Sequence, residues 1–249
     1  MHDGRRLPEV IHLTETESTS RYLEQRADEG GVADGTLVVA DFQTAGRGQA
    51  GNCWESEAGR NLTFSLLFYP VDLPAGMSFR LVELAALSVK YLLDAYVRDV
   101  TVKWPNDIYW HDRKICGILI ENVLSGSLIA RSVVGIGINV NQETFRSDAP
   151  APVSLRQITG REHDRAALLE QFRAVFHRLR LRFDAGTHAD DMHREYMSAL
   201  YRREGYFAFR DGQGCFEARI HGVEPSGHLV LERKDGTRSR YRFKEVAYM

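Results

Sequence analysis

Cysteine is scarce in this chain of 249 residues: Cys53, Cys116 and Cys215 lie far apart and are odd in number. That argues against a disulfide framework, and the lack of any CxxC removes the commonest zinc and dithiol signatures. The nine histidines are scattered, and His188 and His193 stand five apart rather than at the spacing that puts two metal ligands on one helix face. No apolar run approaches the ~20 residues needed to cross a bilayer, and the start, Met1 to Leu7, has no apolar signal-peptide core. The expectation is a cytoplasmic protein with no membrane partner. An excess of basic charge is missing too: 32 Lys and Arg face 34 Asp and Glu, for a net charge of −2, which argues against nucleic acid as the main partner. What the chain does have is 43% hydrophobic residues, enough for one large domain and one small one.

The stretch that stands out is Asp41 to Trp54, a glycine-rich loop entered from the apolar run Thr36 to Ala40. Its three glycines, Gly46, Gly48 and Gly51, allow a tight turn and bring backbone N–H groups toward an anion, with Arg47 adding permanent charge. The spacing matches GxGxxG, but no helical period follows Gly51, so a dinucleotide fold is excluded. A Walker A loop would need Lys and Ser or Thr where Asn52 and Cys53 stand. Cys53 has no neighbouring histidine and no strand-turn-helix elbow, so it does not read as a nucleophile.

Around the loop the chain alternates strands and helices. Glu9 to Thr14 reads as a strand running into Ser18-Thr19-Ser20, where a helix through Arg21 to Ala27 would begin; the hydroxyls are either simple N-caps or ligand contacts. Asn61 to Tyr69 reads as a strand, and Met77 to Val97 as a helix with a core-facing stripe. In Lys103-Trp104-Pro105-Asn106-Asp107, the proline bends a strand at a cluster of polar groups that need partners in such apolar surroundings. The strand Lys114 to Glu121 begins with a lysine that one hairpin returns beside Asp107. Leu128 to Asn139 ends in Gly135-Ile136-Gly137-Ile138-Asn139, whose alternate glycines clear one strand face for something else to pack, a ligand ring being one candidate. Helices follow over Asp164 to Ala185 and Asp190 to Leu200. From Gly205 short strands separated by Asp-Gly and Pro-Ser-Gly turns predict a small β-barrel, with a domain boundary near Arg203.

Two lysines, an arginine and a glycine loop would stabilise charge developing on a phosphate, and Asp107 could hold Mg²⁺. Phosphate chemistry without a P-loop points to activation of an acid by a nucleotide. Gln43-Thr44-Ala45-Gly46-Arg47-Gly48 with Trp54, Lys103 to Asp107, Lys114 to Glu121 and Gly135 to Asn139 together resemble the biotin protein ligases, in family order and across essentially the whole chain.

The resemblance implies an α+β fold: a mixed sheet with flanking helices, class II synthetase-like, over residues 1–203, and an SH3-like β-barrel over 204–249. It implies biotin and ATP as substrates, Mg²⁺ as cofactor, and transfer of biotin from biotinyl-5′-AMP to a lysine of a biotin carboxyl carrier domain. The biotin contacts it implies are Ser18, Thr19, Ser20, Gln43, Gly46, Arg47, Gly48, Gln49, Lys114 and Gly117. Arg47, Trp54, Lys103, Asn106 and Asn139 fall to the nucleotide; Lys114, Arg47, Lys103 and Asp107 to catalysis; and Asp107 to the metal. Gln49 and Asn52 depart from the pattern, since several members carry arginine there. Because the strand pattern begins near Glu9, no helix-turn-helix and no DNA partner are expected, while a homodimer stays open. A lipoate ligase and a non-catalytic vitamin-binding module are the alternatives.

Overall fold

The computed structural model describes residues 8–146, 151–185 and 189–249; the opening residues Met1 to Leu7 and His188 lie outside them. The first sheet has seven strands: β1 (Val10–Thr16), β2 (Leu37–Gln43), β3 (Leu62–Phe68), β4 (Val100–Lys103), β5 (Asp107–Trp110), β6 (Arg113–Ser125) and β7 (Leu128–Ile138). Their order is β1-β2-β3-β7-β6-β5-β4, with β1 parallel to β2 and every other pair antiparallel. Every residue of β3 is buried, as a central strand covered on both faces requires.

Helix α1 (Thr19–Glu29) covers one face, where Leu23 and Ala27 meet Val38, Leu67 and Val133 in a small apolar cluster. Helices α2 (Phe79–Asp94), α4 (Arg165–Asp184) and α5 (Ala189–Ser198) cover the other. Phe172 of α4 meets Phe64 edge-on at 4.8 Å, and Phe183 meets Phe68 at 5.6 Å, so rows of large rings lock α4 to β3. Asp164 caps α4 through the N–H groups of Ala166 and Ala167. The short helix α3 (Leu155–Thr159) was not foreseen, although its start is a capping box between Ser154 and Gln157.

The second sheet is antiparallel, in the order β11 (Arg238–Tyr241), β10 (Leu229–Arg233), β9 (Gly214–Val223), β8 (Phe207–Asp211), β12 (Ala247–Tyr248). Its turns fall where the Asp-Gly and Pro-Ser-Gly signals place them, but β11 and β12 remain separate edges and no ladder between them closes a barrel. Its inward residues, Phe209, Ala218, Ile220 and Leu231 among them, belong to the same continuous core as α2 and the large sheet. Trp104 contributes to that junction by donating its indole N–H to Gly227 O at 3.0 Å. Among the described residues no helix is long and apolar enough to cross a membrane.

Candidate active site

A cavity of about 450 Å³ opens beside the ends of β2, β6 and β7. Its floor is one face of β7: Gly135, Gly137 and Asn139 are alternate residues, so they point the same way and span about 13 Å at the usual rise of a strand. In the register of the sheet Gly137 lies opposite Gly117 and Gly135 opposite Leu119. These three positions order the site.

At the Gly135 end stand the hydroxyls of α1. A side chain on Gly135 would place its first carbon 2.6 Å from Ser20 Oγ, so glycine is required for α1 to seat there. Ser18 occupies the helix N-cap position in an extended conformation but makes no side-chain cap. Thr19 and Ser20 instead turn across to β3, where Ser65 Oγ lies 2.8 Å from Thr19 Oγ1 and 2.9 Å from Ser20 Oγ. Gln43 Oε1 accepts from the Thr19 N–H at 2.8 Å and from its hydroxyl at 3.1 Å. All three α1 hydroxyl residues are buried and line the cavity, which leaves a polar, uncharged wall. Capping accounts for none of the three, and a network bound to β2 and β3 holds Thr19 and Ser20.

At Gly137 the floor is covered by the chain's own tryptophan. The Trp54 indole lies so close that a methyl group on Gly137 would meet it at 2.3 Å, and one on Gly117 at 2.9 Å. The alternate glycines therefore make room for Trp54 and for Ser20 rather than for a ligand ring directly. Trp54 Nε1 is buried there without a hydrogen-bond partner. The ring is carried by a short ribbon: Trp54 N–H donates to Gly46 O at 2.9 Å and Gly48 N–H to Asn52 O at 2.7 Å, with a bridge between Arg47 and Cys53. The Gly48 N–H, expected to face an anion, is thus used inside the loop. Only Gly51 takes a positive φ, +87°, while Gly46 is needed for close approach, a side chain there meeting Trp54 O at 2.7 Å. Gln49 and Gly48 line the cavity from this ribbon.

Beside the indole the site becomes ionic, with the Lys114 ammonium 6.0 Å from the Trp54 ring. Lys114 Nζ pairs with Asp107 Oδ1 at 2.7 Å, as the hairpin from β5 to β6 dictates, and both line the cavity. The Lys114 backbone is fixed to the segment after it through Val153 N–H to Lys114 O at 2.9 Å. Asn139 is 2% exposed; its amide donates to Val153 O at 3.1 Å, and its Oδ1 is buried with no partner. An orphaned acceptor in a cavity wall costs free energy unless a ligand donor meets it.

Two expected site residues are elsewhere. Asn106 is buried and donates to Ile118 O at 2.7 Å, holding the hairpin corner to β6 without lining the cavity. Lys103 points toward the second sheet: its ammonium lies 4.8 Å from the Tyr109 ring and 5.2 Å from the Tyr248 ring, and donates to Tyr109 Oη at 3.1 Å. Burial lowers its pKa, with Asp107 opposing and Arg202 and Lys114 adding to the effect. Arg47 lines the cavity, but its guanidinium forks onto Glu121 at 2.6 and 3.2 Å. Among the described residues no group of three or more His, Cys, Asp or Glu is placed to hold a metal ion, and the three cysteines are free thiols.

Residues 11–139 match the model of the biotin/lipoate A/B protein ligase family. The chain belongs to this family. It is 31% identical over 245 residues to the bifunctional ligase/repressor BirA of Bacillus spizizenii, covering 93% of this chain and 72% of that protein. With the biotin–[acetyl-CoA-carboxylase] ligase of Paracoccus denitrificans it shares 27% identity over 90% of this chain and 94% of the relative. The structure superposes on the biotin protein ligase from Aquifex aeolicus in complex with biotin and ATP with a TM-score of 0.78 and 27% identity, covering 97% of this chain and 98% of that one. The family motifs account for the β7 floor, the glycine loop and the Lys114–Asp107 pair. They did not point to Ser65, which braces two α1 hydroxyls, or to Phe145, Pro152 and Phe243, which also line the cavity. Ser65 had a local signal, since it and Thr63 are the polar residues of an otherwise apolar strand; Phe243 had none, because it reaches the cavity from between β11 and β12, over a hundred residues away.

Proposed function

We propose that the chain is an ATP-dependent biotin protein ligase. It activates biotin to biotinyl-5′-AMP, releasing pyrophosphate, and transfers the biotinyl group to a lysine of a biotin carboxyl carrier domain. The observation that carries this reading is the order along the β7 floor: an uncharged hydroxyl wall at Gly135, an indole at Gly137 with the Lys114 ammonium 6.0 Å from its ring, and an orphaned acceptor at Asn139. A neutral, hydrogen-bonding ring system suits the first, and an exocyclic amine of a purine suits the last. Their products joined in one cavity form an acid–nucleotide anhydride.

On this reading Ser18, Thr19, Ser20 and Gln43 hold the biotin rings, and Gly46, Gly48, Gln49 and Gly117 shape the space around them. Trp54 leaves the floor to stack on the adenine, and Asn139 accepts from its amine. In the first step the biotin carboxylate oxygen attacks the α-phosphorus, the bond to the β-phosphate breaks, and pyrophosphate departs. Lys114 is the one ammonium in the cavity wall, and a point charge there follows the negative charge from carboxylate to α-phosphate. Arg47 adds a second charge once it turns from Glu121. In the second step the acceptor lysine attacks the acyl carbon and AMP leaves.

Of the two carboxylates that line the cavity, Glu55 accepts from the Arg146 N–H and Asp107 pairs with Lys114, which suits a Mg²⁺ brought in by the ATP phosphates better than a resident ion, since Mg²⁺ keeps waters and takes one or two protein carboxylates. Asp107 would hold it, and the ion would neutralise phosphate charge. Lys103, under Tyr248, supports the junction between the sheets in this state and reaches phosphates only if that contact opens. The assignment is tested by incubating the protein with ATP and either biotin or lipoate: pyrophosphate release with biotin alone supports it, and release with lipoate alone transfers the chain to the lipoate branch of the family.

A further inference from the structure

The glycine loop's only guanidinium does not lie free at the cavity. Arg47 is held by both oxygens of Glu121, on β6, and Glu121 and its neighbour Glu24, on α1, stay outside the cavity lining. Burial first, and then the charge of Glu121, raise the Glu24 carboxyl above its usual range, with a hydrogen bond between the two side chains acting in the same direction. Three elements, α1, the loop and β6, meet at this one contact.

We propose that Glu121 is a positioning residue that competes with the ligand's phosphate for Arg47, so that the loop engages only a ligand whose anion displaces the carboxylate. The inference rests on the reading that Arg47 meets the adenylate phosphate. Its selectivity follows from charge: a neutral biotin derivative offers Arg47 nothing in exchange for Glu121, whereas a phosphodiester offers a second acceptor of the same sign and similar fork geometry. Because the pair is partly exposed, with 45% of the arginine and 28% of the glutamate side chain open to solvent, the competition is modest in size.

The experiment measures binding of biotinol-adenylate, an unreactive phosphodiester, and of biotin methyl ester, which carries no charge, to the whole protein and to Glu121→Gln, Arg47→Ala and the double variant. Glu121→Gln is expected to bind the phosphodiester about threefold to fivefold more tightly, the scale of a screened ion pair, and the ester unchanged. A gain in affinity is not what a damaged fold produces. In the Arg47→Ala background the gain should vanish. A gain that persists without Arg47 would reduce the effect to the general field of a removed charge and overturn the proposal, as would weaker binding by Glu121→Gln. Arg47→Ala that binds the phosphodiester as the parent does would overturn the phosphate role of Arg47, and the competition with it.

Discussion

At the scale of single residues the account turns on Lys114. Its ammonium faces the cavity and meets Asp107, while its backbone, not its side-chain tip, carries the local fold. Lys114→Ala should therefore fold normally yet lose adenylate formation by about two to three orders of magnitude, the cost of about 3 to 4 kcal/mol for one transition-state electrostatic partner. Pyrophosphate release close to that of the parent protein would remove Lys114 from the mechanism. Gln49 is the complementary case, a neutral amide where several family members carry arginine. Gln49→Arg should slow adenylate dissociation by no more than about tenfold, the scale of one charge-assisted hydrogen bond of about 1.5 kcal/mol under partial screening. Stopped-flow fluorescence of Trp54 reads the off-rate, and an unchanged or faster rate would show that other residues close the loop. Residues were also where reading from sequence was least complete. Lys114 and Asp107 were legible because one hairpin joins them, but Lys103, two residues from the proline of the same motif, turns to Tyr248, and no local pattern encodes a contact 145 residues away.

At the scale of elements, strand alternation and turn residues made most of the large sheet legible, including the glycine-bearing end of β7. Of the hydroxyls at the start of α1, Ser18 makes no side-chain cap, and Thr19 and Ser20 find their partners on β2 and β3, which sequence spacing does not reveal. The glycine loop is tied by a ribbon yet has few apolar anchors, so it should be cut by protease near Arg47 when empty and protected by biotin plus ATP. Cleavage unchanged by saturating ligands would contradict that. A second element-scale expectation concerns α2 and α5. His193 donates to or accepts from the buried Glu83 at 2.6 Å, and that contact raises the histidine pKa against the opposing effect of burial. A histidine whose folded pKa is raised contributes stability that is fully present below the unfolded value of about 6.5 and is lost as pH rises through the folded value. The urea midpoint should thus fall more steeply from mildly acidic to alkaline pH in the parent than in His193→Gln. Identical slopes would mean the pair contributes no pH-dependent stability.

At the scale of the whole molecule, the two sheets share one core, and the contacts that join them bear on the site. Trp104 ties the second sheet to β4, Tyr248 covers Lys103, and Phe243 lines the cavity. The hairpin spacing of the last 45 or so residues was readable, but closure of a barrel was not, because pairing of edge strands depends on register and twist rather than on turn residues. The family membership and the floor of β7 lead to one central claim, that this cavity joins biotin to AMP. The direct test is pyrophosphate release by the intact protein in the presence of ATP, with biotin or lipoate supplied in turn, followed by transfer to a biotin carboxyl carrier domain. The account requires release with biotin, dependent on Lys114, and a biotinylated carrier lysine; release with lipoate and none with biotin, or biotin binding without any release, would contradict it.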